Sequence, residues 1–232
     1  MTSLYLVRHG QASFGSRDYD QLSPLGVEQA RRLGAWLAAS GTPCARLRSG
    51  TLVRQRETAR HCLQAWLGDS ATLPEPLPDS GFDEFDHREV LLRAAPEFGQ
   101  PGHLERVLDA APDARAAFQR VFADAVARWA GGAHDADYGE SWDAFGARCG
   151  DAARRALQQA DGADVWVFTS AGTIAALLQQ VLRVPGAQTL DLLWAILNAS
   201  VTQLGWRDGR LRLLQFNSVA HLGGGRELRS HR

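Results

Sequence analysis

The triplet Arg8-His9-Gly10 closes a short apolar run, Leu4 to Val7, near the start of the chain. A histidine leaving a buried strand beside an arginine is placed to meet an anion, and the glycine allows backbone to approach a ligand closely. Positive charge next to an imidazole disfavours the protonated form, so His9 is expected to be neutral and nucleophilic near neutral pH. A second group lies in Ser49 through Ala59, where Arg54 falls near the start of a helix that follows a strand. Free N–H groups and the dipole at a helix start favour anions. A guanidinium there can grip phosphate through two parallel hydrogen bonds. Arg56 and Arg60 have the same chemistry, so a solvated basic face is the plain alternative for this stretch.

The elements that must hold these groups follow from periodicity and caps. Leu4 to Val7 reads as a buried strand, with polar loop from Gln11 to Gln21. Ser23-Pro24 offers an N-cap and a first helical residue, and Leu25, Ala30, Leu33 and Leu37 recur at helical spacing until Gly41. A weak strand at Ala45 to Arg48 precedes a helix over Thr51 to Leu67. Residues 68–103 are irregular, with one short helix near Val90; a cap over a site is expected across about 68–140. Phe118, Val121, Phe122, Ala125 and Trp129 mark an amphipathic helix ended by Gly131-Gly132, and Ser141 caps another that runs to about Ala160. Val165 to Phe168 is a second buried strand, turning through Thr169 to Gly172 into a helix over Thr173 to Leu182. An alternating run at Ser200 to Trp206, Asp208-Gly209, and Leu211 to Phe216 signal a hairpin; the basic tail from Gly223 is expected to fray. Alternating strands and helices predict an α/β fold, a mostly parallel sheet with helices on both faces, as one domain over 1–232. Ligands bind such sheets at the carboxyl ends of the strands, where both the His9 and the Ser170 turns fall.

Composition narrows the function. The formal net charge of −1 gives no reason to expect nucleic acid or an anionic membrane as partner. The chain contains no lysine, so all 25 basic residues are arginine, and any phosphate site must use Arg, His and backbone N–H groups. Source-genome codon bias is the plain explanation of that composition. Cys44, Cys62 and Cys149 are scattered without zinc or redox spacing, and read as inert thiols of a reducing compartment. With no signal-like segment at Met1 to Arg8, a cytoplasmic location is expected. The histidines lack ligand spacing, so neither metal nor cofactor is expected. Ser170 is not in a Gly-x-Ser-x-Gly elbow, and Gly223-Gly224-Gly225 has no P-loop context. Most tryptophans fall on apolar faces and read as core.

In order, spacing and element type, the segments Leu6 to Ser13, Leu22 to Ala30 and Ser49 to Ala59 resemble the histidine phosphatase (phosphoglycerate mutase-like) superfamily. The likeness resumes at Asp83 to His87, at Val165 to Thr173 and at Asn198 to Thr202. It implies that His9 attacks phosphorus in line to form a phosphohistidine while Arg8 and Arg54 hold the non-bridging oxygens. A carboxylic acid then protonates the leaving oxygen, and water later discharges the intermediate. Glu84 lies in the stretch the family uses for that acid, with Asp83 and Asp86 as rivals. Family members usually carry a second histidine where this chain has Ser170, in Thr169-Ser170-Ala171-Gly172-Thr173-Ile174. Ser170 is expected to cap the helix and to touch phosphate, with Ala171 beside it at the helix start. His87 and His221 are the candidates to replace the missing imidazole.

These residues imply a metal-independent phosphomonoesterase acting on a small phosphorylated substrate. The alternative is a weakly active or inactive relative that binds a phosphorylated ligand or protein. A phosphoglycerate mutase is less favoured, because the Ser170 turn gives no support for retaining and re-delivering a phosphoryl group. The sequence names neither the substrate nor the oligomeric state.

Overall fold

Successive residues of a strand point to opposite faces, and here the two central strands sort their side chains into two cores. Strand β1 (Thr2–Arg8) and strand β4 (Val165–Thr169) send Leu4, Leu6, Val165 and Val167 to one side. They send Val7, Trp166 and Phe168 to the other. The computed structural model describes residues 2–13, 20–68, 73–100, 102, 103, 106 and 113–231. Residues 14–19 of the expected first loop, and parts of the expected cap, lie outside them.

The sheet has the order β3-β2-β4-β1-β5-β6, with β2 at Arg46–Ser49, β3 at Leu77–Pro78, β5 at Val201–Arg207 and β6 at Arg210–Ser218. Pairs β3–β2, β2–β4 and β4–β1 are parallel, while β1–β5 and β5–β6 are antiparallel. This is the expected α/β sheet, closed at one edge by the expected hairpin. Its turn residues, Asp208 and Gly209, both have positive φ, as a type I′ turn requires.

Helices α1 (Pro24–Ala39) and α2 (Val53–Leu67) cover the Val7 face. Leu33, Leu37, Ala59, Cys62 and Leu63 are buried there. Helices α5 (Trp142–Gln158) and α6 (Ala171–Leu182) cover the Leu4 face with Phe145, Cys149, Ile174 and Leu178. Each fully buried Leu or Phe contributes roughly 1.5–3 kcal/mol of transfer free energy. Ser23 accepts from the Gly26 N–H and Ser141 from the Ala144 N–H, so both expected caps form. Short α3 (His87–Ala94) packs on α4 (Ala114–Ala130), which supplies Ala125, Val126 and Trp129 to the same core. Burial raises the thiol pKa of Cys62, and pushes that of Cys149 up to about 12.

Two expectations are corrected. A further helix, α7 (Gly186–Ala195), follows α6, although no helix was expected there. It starts on Pro185 and Gly186 without a capping side chain, so it carries no local start signal. The tail does not fray. Asn198 N–H donates to Ser230 O (2.8 Å), Gln29 Nε2 to Leu228 O (2.9 Å), and Arg8 Nη2 to His231 O (3.0 Å). Composition suggested a loose end, but these buried polar partners hold it.

Candidate active site

His9 sits just past the end of β1, its N–H donating to Thr169 O at 2.9 Å across the carboxyl ends of β1 and β4. Its own carbonyl accepts from Asn198 Nδ2 (3.1 Å) and Ala199 N–H (3.2 Å). Ala199 adopts a φ of 56°, a left-handed conformation strained for alanine, in this grip on the His9 main chain. Thr58 of α2 accepts the Gly10 N–H at 2.9 Å. The His9 ring is buried, and Nδ1–H donates to Gly10 O at 2.7 Å, which leaves the lone pair on Nε2. Its pKa lies well below the ordinary histidine value of 6.5, first through burial, then through the charges of Arg54 and Arg8. His9 is therefore a neutral imidazole with its lone pair on Nε2, and burial is a larger cause of that neutrality than the charge of either arginine. At Gly10 the close approach in the structure is to protein. A Cβ on Gly10 would lie 2.4 Å from Gly26 O at the start of α1.

Arg54 is buried in the first turn of α2, whereas Arg56 and Arg60 are exposed and Arg60 pairs with Glu57. The solvated-face alternative thus describes Arg56 and Arg60 but not Arg54. Arg54 Nε–H points at His9 Nε2 at 3.2 Å. Its Nη1 donates to Asp20 Oδ1 at 2.7 Å. The other oxygen of Asp20 accepts the Val53 N–H at 2.8 Å. An internal carboxylate thus satisfies the start of α2 and fixes the guanidinium at once. Arg8 is buried, donating Nη1 to Ile196 O just after α7. Sequence reasoning missed Asp20, Thr58 and Asn198. Asp20 stands 34 residues before Arg54, and no local pattern marks it.

Glu84 is held at the start of α6, where its Oε2 accepts the Gly172 N–H at 3.1 Å. A Cβ on Gly172 would lie 2.0 Å from Glu84 Oε1, so only glycine leaves room for that carboxylate. The rival acids have other work. Asp83 binds the N–H and hydroxyl of Thr51, and Asp86 caps α3 through the Arg88 and Glu89 N–H groups. Of the three, Glu84 is the one set on α6 beside the Ser170 turn.

Ser170 occupies the N-cap position of α6, but its hydroxyl makes no capping bond. That expectation is corrected. The Ser170 hydroxyl instead accepts from Gln55 Nε2 at 2.9 Å, and Gln55 also donates to Phe82 O at 3.1 Å. Gln55 is fully buried and ties α2 to the β4–α6 turn, another residue sequence reasoning did not find. Ala171 opens α6 and is buried beside Ser170. His87 packs its ring on Phe85 (4.6 Å between centroids) and on Phe122 (5.7 Å). It lies within electrostatic range of Glu84, Arg54, Arg8 and His9, and burial lowers its pKa. His221 is held against the backbone of Ala199, its pKa lowered by burial to about 4.

A sequence profile of the histidine phosphatase superfamily (branch 1) matches residues 4–96 and 109–219. Among solved structures, a phosphoglycerate mutase from Bacillus anthracis is similar at 20% identity and a TM-score of 0.63, covering 95% of this chain and 94% of its own. A phosphoserine phosphatase from Entamoeba histolytica, solved as a mutant with phosphoserine, is 18% identical with a TM-score of 0.60, covering 96% and 100%. A mycobacterial glucosyl-3-phosphoglycerate phosphatase is 24% identical with a TM-score of 0.59, covering 94% and 99%. At these identities the likeness is one of fold. No curated protein matches the chain. No described helix is long and apolar enough to cross a membrane.

Proposed function

The chain belongs to the histidine phosphatase superfamily, and from that premise we propose that it is a metal-independent phosphomonoesterase working through a phosphohistidine on His9. The observation that carries this reading is the tautomer of His9. With Nδ1–H bound to Gly10 O, the Nε2 lone pair faces the buried Arg54 guanidinium at 3.2 Å.

In the first step the Nε2 lone pair attacks phosphorus and the ester P–O bond breaks. Arg54 and Arg8 turn N–H groups to the non-bridging oxygens, supplying fixed positive charge where negative charge spreads in the transition state. Glu84, as general acid, gives a proton to the leaving alkoxide, and an alcohol departs. Water then attacks phosphorus and Glu84 takes its proton. The P–N bond breaks, inorganic phosphate leaves, and neutral His9 returns. Ser170 and Ala171 are proposed to border the phosphate at the start of α6. The hydroxyl is already bonded by Gln55 and retains donor capacity. The substrate is a small phosphorylated molecule, the protein acts in the cytoplasm, and the cap spans about 68–140.

The test is turnover of an aryl phosphate with acid-labile trapping of the phosphoenzyme, for wild type beside His9→Ala. Turnover and a trapped phosphohistidine in wild type, with both lost in the variant by about 10⁴-fold or more, are expected. Tight vanadate or phosphate binding without turnover or trapping would replace this reading with that of a non-catalytic phosphate-binding relative.

A further inference from the structure

If Glu84 protonates the leaving oxygen, the alcohol part of the substrate must extend past Glu84, away from His9. Aromatic rings lie beside Glu84, with His87 within electrostatic range of both Glu84 and His9. Phe85, next to Glu84, is buried on Gly172, and a Cβ on that glycine would lie 2.9 Å from its ring. From Phe85 a line of rings continues outward. His87 lies 4.6 Å from Phe85, and Phe122 lies 5.7 Å from His87. Phe118 stacks on Phe122 at 6.2 Å, one turn away on α4. Trp194 of α7 meets Phe122 edge-on at 6.1 Å. Trp194 is 42% exposed, unusual for so large an apolar side chain, and Phe118 and Phe122 are half-buried.

The helix that carries Trp194 ends beside Arg8. Two residues beyond Trp194, Ile196 O accepts from Arg8 Nη1. The rim therefore starts beside Glu84 and ends on the helix whose last turn leads to Arg8. Beyond Phe85, which lies just before α3, its members come from α3, α4 and α7, two of them within the expected cap.

We infer that this rim receives the alcohol part of the substrate, and that the substrate class is a phosphomonoester whose alcohol carries an aromatic or similarly apolar ring. The inference rests on the phosphatase reading for the direction in which the alcohol lies. Ring faces offer offset-stacked and edge contacts to another ring, each worth about 0.5–1.5 kcal/mol beyond area burial. A carboxylate against the same faces would lose water and meet the negative side of the ring quadrupoles. The rim thus separates ring-bearing esters from compact acidic ones such as phosphoglycerate.

The experiment compares 3-phenylpropyl phosphate with propyl phosphate, whose leaving groups have nearly the same acidity, and with 3-phosphoglycerate. In parallel, calorimetry measures binding of phenylpropylphosphonate and propylphosphonate, which needs no turnover. The phenyl compound is expected to lead by about tenfold in kcat/KM and in affinity. Trp194→Ala and Phe122→Ala are each expected to lower that ratio about 2–12-fold, the fold-change equivalent of one ring contact. Trp194→Phe should keep most of it. Trp194 is exposed, so its removal does not open the core even if Phe122→Ala fails to fold. A phenyl-to-propyl ratio near one, a preference for 3-phosphoglycerate, or a ratio that Trp194→Ala leaves unchanged would overturn the inference. Ring-selective phosphonate binding with no turnover of any ester would support the rim and overturn the phosphatase reading. Turnover of all esters without ring preference would do the reverse.

Discussion

Helices α2 and α6 both start beside His9, and both receive a carboxylate at their first turn. At α2 the carboxylate is Asp20, which takes the Val53 N–H and the Arg54 guanidinium together. At α6 it is Glu84, which takes the Gly172 N–H, while the cap position holds the neutral Ser170. Positive charge is therefore carried by a side chain at one start and by backbone dipoles at the other. Asp20 is bound up with the arginine it holds. Among the described residues Glu84 has no arginine as a hydrogen-bond partner, its partners being the Phe85 and Gly172 N–H groups, and it is the group proposed above as the acid. On that proposal the same local device, a carboxylate on a helix start, is structural in one place and chemical in the other. What separates the two is the cation beside it.

The largest effects should come from removing the distinctive group at each start. Glu84→Gln is expected to lower kcat about 10²–10⁴-fold for alkyl phosphates, and far less for nitrophenyl phosphate, whose leaving group needs no proton. Equal losses on both substrates would show that Glu84 is not the acid. Arg54→Ala should cost about 10²–10³ in kcat, the scale of one lost oxyanion donor. Lysine at position 54 should restore little, because it cannot bind Asp20 and phosphate in one planar fork. Asp20→Asn keeps the shape and acceptor at α2 but removes the charge. A loss of roughly tenfold is expected, on the scale of one hydrogen bond to a charged group, with thermal stability nearly unchanged. A drop in melting temperature with kinetics intact would make Asp20 a helix cap alone.

The smallest effect is on pH. His9 must be neutral to attack, so kcat/KM should fall on the acid side as pH drops through its lowered pKa, below 6.5. Burial and Arg54 both hold that pKa down. Arg54→Ala should therefore move the acid limb to higher pH, and burial should still keep it under 6.5. Stability follows the same sign. The unfolded chain binds protons at His9, His87 and His221 that the folded chain refuses, so stability is full above about pH 6.5 and declines as pH falls below it. A kcat/KM profile at constant ionic strength, with a denaturation midpoint series over the same range, checks both.

Some of the site could be read without coordinates because it is local. A histidine one residue past a buried strand, and an arginine in the first turn after a strand, are placed by the periodicity of their own segments. Arg56 and Arg60 could be separated from Arg54 only by burial, since all three share the same helix and chemistry. Ser170 was legible as a helix start, but not its bond to Gln55, a contact across 115 residues. The α7 helix escaped notice because Pro185 and Gly186 give no capping signal. The docked tail escaped because its basic composition says nothing of the Asn198 and Gln29 side chains that hold it.

Most of the strand and helix order, the two-sided sheet, the place of His9 after β1 and the arginine at the head of α2 were written into short stretches of chain, because a strand of period 2 and a helix of period 3.6 impose their own geometry. Which oxygen atoms meet which N–H groups was not. Asp20, Asn198 and Glu84 reach the site from distant segments, Gln55 reaches from α2 across to Ser170, and their partners are selected by packing α1, α2 and α6 on one sheet. Desolvation, the larger cause of His9's neutrality, comes from that packing too, because the charge on an imidazole is set by how much water the surrounding chain removes.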